Sequence, residues 1–305
     1  MNRTEFATPE GLLSICHWNE DAALAPSGSK PILHWAHANG FNGQTYDRLL
    51  APLADRCDIY AWDARGHGHS KMPANPLDLR NWYVYRDDLE KLALRLSDKA
   101  GQKIWLGGHS MGGCASVLLA TKRPDLVAGL VLVDPVIIPY IAGLIAKLRG
   151  MLTGRGHGLM ELAKKRRRDW PDAATVEKVY TGRGAFATWQ DGFLQDYLAG
   201  GLLPLTDAAD DDSDNQVQLA CDPQWEAANF KGPQVNVLPH ILRLRVPLTL
   251  LRAARGSTSR MTWAFNRVPV DKKVATIQGA THFLPMEMPD LVRDEICARI
   301  DAASA

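Results

Sequence analysis

A chain of 305 residues, 46% of them hydrophobic, is long enough for one large α/β domain or two smaller ones around a sizeable core. Thirty-five basic against thirty-four acidic side chains leave a formal net charge of +1, which gives neither nucleic acid nor an anionic membrane an electrostatic reason to bind. Five scattered cysteines, a first segment without a basic-then-apolar leader, and no run near the ~18 apolar residues of a membrane span point to a reduced, cytoplasmic protein acting on small molecules.

In chain order, Gly11 to Trp18 reads as an antiparallel edge strand of a hairpin, with the polar stretch 19–30 as its loop. Pro31 to Ala36 is the first buried strand, and His37, which closes it, is expected to line a pocket. Thr45 to Ala54 has helical periodicity, and Asp58 to Trp62 is the next strand. The turn Asp63 to Ser70 follows, with His67 and His69 in a His-x-His spacing that can hold metal; no further acidic or histidine ligand follows nearby, so a structural turn is the better reading. The chain continues with a helix at Tyr83 to Ala100, a strand at Lys103 to Leu106, a helix at Met111 to Lys122 and a strand at Leu126 to Val133.

Between Asp134 and Val246 this alternation breaks. Helical stretches without a convincing strand predict a helical insertion, a cap over residues 135–245, between two parts of one core at 1–134 and 246–305. The cap holds the basic run Lys164 to Arg168, read as a solvated helix face, and the acidic run Asp207 to Asp214, read as a loop. Strands at Val246 to Leu251 and Lys273 to Ile277 and a helix at Pro289 to Ala302 complete the pattern, which is that of a mostly parallel sheet covered by helices.

Gly108-His109-Ser110-Met111-Gly112 stands where a buried strand passes straight into an apolar helix, as a nucleophile elbow requires. The serine at such a turn is strained outward, and glycines two residues to either side leave room where a β-carbon would strike backbone. A phosphate-binding loop is the rival, but Gly113-Cys114 stands where lysine and serine or threonine would reach phosphate and magnesium. A serine hydroxyl needs a base within hydrogen-bond reach and a carboxylate to hold that base. Of nine histidines, His282 is best placed, just beyond the last strand and at the sheet end that carries the elbow.

Taken together these residues resemble the α/β-hydrolase superfamily. His37 to Gly43 is similar to its oxyanion loop, Asp63 to Ser70 to its turn after the fourth strand, Gly108 to Gly113 to its elbow and Gly279 to Phe283 to its histidine loop. The resemblance implies an eight-stranded sheet with a cap inserted after the sixth strand, and oxyanion donors at the amides of Phe41 and Met111. Two features depart from the common pattern. Asn39-Gly40 stands where His-Gly is usual, and the segment after the seventh strand, Arg252 to Arg260, has no carboxylate where many members carry an aspartate. Asp134, at the end of the sixth strand, is the better acid, with capping of the segment before Pro135 as its structural alternative. Asp271 lies at the wrong sheet edge, and Glu287 is expected to start the final helix.

The function expected is ester hydrolysis through an acyl-enzyme on Ser110, with His282 as base, Asp134 as its orienting acid, and no cofactor or metal. Serine at the elbow argues against epoxide-hydrolase and dehalogenase chemistry, whose relatives use aspartate there. Amidase, aminopeptidase, lactonase and carbon–carbon hydrolase readings stay open, as does a small-molecule receptor. His37, Asn39, Tyr140 and Trp189 are expected to contact the substrate, a small-molecule ester; the sequence leaves the oligomeric state open.

Overall fold

The computed structural model describes residues 1–18, 30–139, 158–205, 215–231 and 235–304. Eight strands form one sheet: β1 (Asn2–Thr8), β2 (Gly11–His17), β3 (Ile32–Ala36), β4 (Asp58–Asp63), β5 (Ile104–His109), β6 (Val127–Val133), β10 (Leu248–Ala253) and β11 (Lys272–Ile277). Their spatial order is β1-β2-β4-β3-β5-β6-β10-β11; β1 and β2 run antiparallel to their neighbours and the remaining pairs are parallel. Every residue of β3, β4 and β5 is buried, as expected of strands covered on both faces. Side chains alternate between the faces: Ile32 and Ala36 join the core under helices Tyr83–Ala100 and Met111–Lys122, while Leu33 and Trp35 join the core under helix Pro289–Ser304.

Gly11–His17 is not the edge strand. Asn2–Thr8 takes that place and pairs along its whole length with β2, which in turn pairs with β4. The expected hairpin therefore turns at Pro9-Glu10, and most of the stretch proposed as its loop, 19–29, lies outside the described residues. The helical stretch at Thr45 to Ala54 is broken into a 3-10 turn Gly43–Tyr46, one helical turn Asp47–Leu50 and a second 3-10 turn Ala51–Leu53, with Pro52 at the last junction.

The segment between β6 and β10 contains helices Gly158–Lys164, Ala173–Tyr180, Phe193–Gly201 and Pro223–Asn229. It also has strands, contrary to the sequence reading: β7 (Asp169–Trp170), β8 (Leu202–Pro204) and β9 (Val217–Leu219) form a small antiparallel sheet in the order β7-β9-β8. Strands of two or three residues are too short to show a period-2 pattern. Helix Phe193–Gly201 packs on the Gly43–Tyr46 turn, which brings this segment over the ends of β3 and β4. The acidic run Asp207 to Asp214 falls outside the described residues. Among the described residues no helix is long and apolar enough to cross a membrane.

Candidate active site

Ser110 lies between the end of β5 and the first residue of helix Met111–Lys122, with φ +55° and ψ −116°. This is the left-handed strain of an elbow, and backbone crowding enforces it. A β-carbon on Gly108 would come within 2.7 Å of the Gly112 carbonyl carbon, and one on Gly112 within 2.2 Å of the Ala36 carbonyl oxygen. The glycines thus let the helix start against the end of β3, while the turn holds the Ser110 hydroxyl at the C-terminal edge of the sheet.

On the neighbouring strand at the same edge, Asp134 follows β6 with φ +41° and is fully buried. His282 follows β11, and its ring lies between the two side chains. Its Nε2 is 3.1 Å from Ser110 Oγ and its Nδ1 is 2.6 Å from Asp134 Oδ2. A carboxylate at Nδ1 fixes the tautomer: Nδ1 carries the hydrogen and donates to Asp134, leaving Nε2 as acceptor for the serine.

The last residue of β10 and the loop after it, which lacks the usual aspartate, supply donors to Asp134. Ser257 Oγ donates to Oδ1 at 2.5 Å, the Ala253 amide to Oδ1 at 3.1 Å and the Thr258 amide to Oδ2 at 2.9 Å. Burial acts to raise the Asp134 pKa, but the bond to His282 and those from Ser257 and Thr258 outweigh it and hold the carboxyl below its ordinary range. Sequence reasoning noted the missing acid at this loop and overlooked its hydroxyls.

It also overlooked His109 and Tyr46. The Ala38 amide donates to Tyr46 Oη at 3.1 Å, Tyr46 Oη lies 2.8 Å from His109 Nδ1, and His109 Nε2 lies 2.7 Å from the His282 carbonyl oxygen. Only one tautomer satisfies both ring nitrogens: Nε2–H donates to the carbonyl and Nδ1 accepts from the tyrosine. Burial pushes the His109 pKa down to about 3, so the ring is neutral and the chain of bonds persists. It ties the loop after β3, the elbow and the histidine loop together.

The Met111 amide begins a helix and has no acceptor within it. The Phe41 amide closes a turn on the Ala38 carbonyl at 3.1 Å, so unlike Met111 it is already engaged. His37 is engaged within the protein. It is fully buried, its Nδ1 lies 2.7 Å from the Ala38 carbonyl and its Nε2 accepts from the Ala64 amide at 2.9 Å, so both ring nitrogens serve the protein. Asn39 is likewise committed, its Nδ2 to the Glu226 carbonyl at 3.0 Å and its Oδ1 3.3 Å from His67 Nε2. Trp189 lies beside the site, its ring 5.4 Å from that of Phe41 and 6.0 Å from that of Phe283. Tyr140 lies outside the described residues.

Asp271 sits at the opposite edge, bonded to Arg299. Glu287 ends a short helix, Leu284–Glu287, rather than starting the final one, and its carboxylate accepts from the Thr281 amide at 2.7 Å. It braces the residue before His282. Among the described residues no three His, Cys, Asp or Glu side chains gather as a metal ion would need.

Comparison with known proteins agrees with this architecture. Over 286 residues, 90% of each chain, the sequence is 27% identical to the 2-(acetamidomethylene)succinate hydrolase of Mesorhizobium japonicum. Over 131 residues, 42% of each chain, it is 34% identical to an esterase of Mycobacterium tuberculosis. The crystal structure of an E-2-(acetamidomethylene)succinate hydrolase has the same fold, with a TM-score of 0.74 over 98% of this chain and 99% of that one at 22% identity. The sequence pattern of the alpha/beta hydrolase family matches residues 33–295, from the second residue of β3 into the final helix. The chain belongs to the alpha/beta hydrolase family.

Proposed function

We propose that this protein hydrolyses carboxylic esters through an acyl-enzyme on Ser110. The observation that carries the reading is the unbroken line from Asp134 Oδ2 through His282 to Ser110 Oγ, at 2.6 and 3.1 Å. Ser110 Oγ attacks the ester carbonyl as its proton passes to His282 Nε2, and Asp134 stabilises the imidazolium through Nδ1–H. Collapse of the tetrahedral intermediate breaks the bond to the alkoxide, which takes the proton from Nε2 and leaves as the alcohol. Water then attacks the acyl group, giving its proton to His282, and the carboxylic acid leaves as Ser110 is reprotonated.

The oxyanion rests on the Met111 amide and on that of Phe41, whose release from its turn with Ala38 accompanies substrate binding. Removing one such donor slows turnover by roughly 100- to 1,000-fold. The segment 135–245 serves as the cap. Phe41, Trp189 and Phe283 present an aromatic wall next to His282, with ring centroids 5.4 to 6.3 Å apart, which favours an apolar or aryl group on the substrate.

A series of p-nitrophenyl esters from acetate to decanoate tests the reading. Wild type turns over at least one chain length, Ser110→Ala is silent, and Asp134→Asn loses about 10⁴-fold in kcat because the imidazole tautomer is no longer held. Inactivity of wild type on every ester refutes ester hydrolysis. A second reading, cleavage of an amide C–N bond, is supported by the relative that matches along 90% of the chain, whose name describes an acetamido substrate. The same residues would perform it, with His282 protonating a nitrogen leaving group.

A further inference from the structure

The basic run splits in the folded protein. Lys164 pairs with Glu161 at 3.2 Å, and Arg168 lies 3.8 Å from Asp222, as a solvated face would have it. Arg166 turns inward, with Nη1 on Glu226 at 2.5 Å and Nη2 donating to Tyr197 Oη at 2.7 Å and Tyr180 Oη at 3.2 Å. Arg167 lies over Trp170, 4.7 Å from its ring centroid, and its Nε donates to the Asp169 carbonyl at 2.6 Å. From the next loop comes Arg183, whose guanidinium has no hydrogen-bond or ion-pair partner among the described residues.

These three arginines line one surface groove of about 340 Å³, with Trp170, Tyr180 and Phe186 as apolar walls. No acidic side chain among the described residues lines it, and Glu226 matches the charge of Arg166 alone. Two guanidinium groups therefore face the groove without a carboxylate, beside aromatic surface. The inner wall adjoins the catalytic region: Phe186 stacks on Tyr180 at 4.9 Å and meets Trp189 at 4.8 Å and Tyr197 at 5.2 Å, and both of those rings pack on Phe41.

We propose that this groove binds an amphipathic carboxylate, its acid group on Arg167 and Arg183 and its apolar body against Trp170, Tyr180 and Phe186, and that the hydrolysed substrate is such an acid-bearing compound. Planar guanidinium groups suit a carboxylate, and the aromatic walls add affinity that a bare anion cannot use. The second half of this inference rests on the hydrolase reading of Ser110; the first does not.

The test uses Ser110→Ala titrated calorimetrically with 4-phenylbutanoate and with its neutral counterpart 4-phenylbutanamide. The acid binds roughly tenfold tighter, the difference shrinks as salt is added, and it disappears when Arg167→Gln and Arg183→Gln are introduced together. Equal binding of acid and amide, or an acid preference that survives the two substitutions, overturns the site. Displacement of 4-phenylbutanoate by inorganic phosphate at matched concentration overturns the role of the aromatic walls. A second arm compares kcat/KM of wild type on mono-p-nitrophenyl glutarate and p-nitrophenyl pentanoate. A ratio of about ten that collapses in the arginine variant supports the substrate class, and a ratio near one overturns it. If neither ester is hydrolysed, the ester reading fails by itself, and the calorimetry still decides the groove.

Discussion

Asp134 collects its donors from residues 119 to 148 positions further along the chain, and Tyr46 reaches His109 across 63. At the residue scale the candidate site is thus a set of buried polar groups satisfied by distant partners, each of which is costly to leave unpaired. Tyr46→Phe tests this. It keeps the ring but removes the hydroxyl that joins the Ala38 amide to His109, leaving that amide and His109 Nδ1 without this partner in a buried position. The expected loss is about 1–3 kcal/mol of stability, read from urea denaturation, with a several-fold fall in kcat and little change in KM. The roles proposed for Ser110 and His282 were legible in the sequence because each stands in a short pattern that follows a strand. Ser257, His109 and Tyr46 were not, since nothing local to them reveals the group that they touch.

The elbow is an element that tolerates little addition. Gly112→Ala places a methyl group 2.2 Å from the Ala36 carbonyl oxygen, a backbone atom of β3 that cannot move without disturbing the sheet. It is expected to cost about 3 kcal/mol or more, or to prevent folding. Gly158→Ala, in open space at the start of helix Gly158–Lys164, is expected to be neutral or to stabilise by up to about 1 kcal/mol, and the two denaturation midpoints compared check both. Helices Tyr83–Ala100 and Met111–Lys122 were read to the residue, one from its helical periodicity, the other from the small apolar run after the elbow. Asn2–Thr8 escaped because an edge strand with no fully buried residue needs no apolar alternation. The small sheet between β6 and β10 escaped because its strands are held by each other rather than by a pattern in any one of them.

At the scale of the whole molecule, buried neutral histidines tie stability to pH. His34 is fully buried beside Trp62, and burial, with a smaller contribution from the neighbouring His37, lowers its pKa from 6.5 to about 3; burial, followed by the neighbouring His282, lowers His109 to about 3. The folded state refuses protons that the unfolded state accepts below pH 6.5. The contribution of these groups is therefore complete above about pH 6.5 and is lost as the pH falls toward 3, at about 1.4 kcal/mol per pH unit for each histidine. Urea midpoints at pH 7.5, 6 and 5 should fall in that order, and His34→Phe should flatten the slope by one histidine's share. A midpoint independent of pH over this range contradicts the assignment. What the sequence by itself determined were the features set by neighbours along the chain: the alternation of apolar strands and helices, the elbow glycines, the inserted segment after β6 and the absence of an acid after β10. Tertiary structure alone decided which hydroxyls hold Asp134, that His37 and Asn39 serve the protein's own backbone and side chains, and that Arg166 turns inward while Arg167 and Arg183 share a groove. Those outcomes depend on contacts between residues far apart in sequence, whose energies come from burial and pairing in three dimensions and leave no periodic trace along the chain.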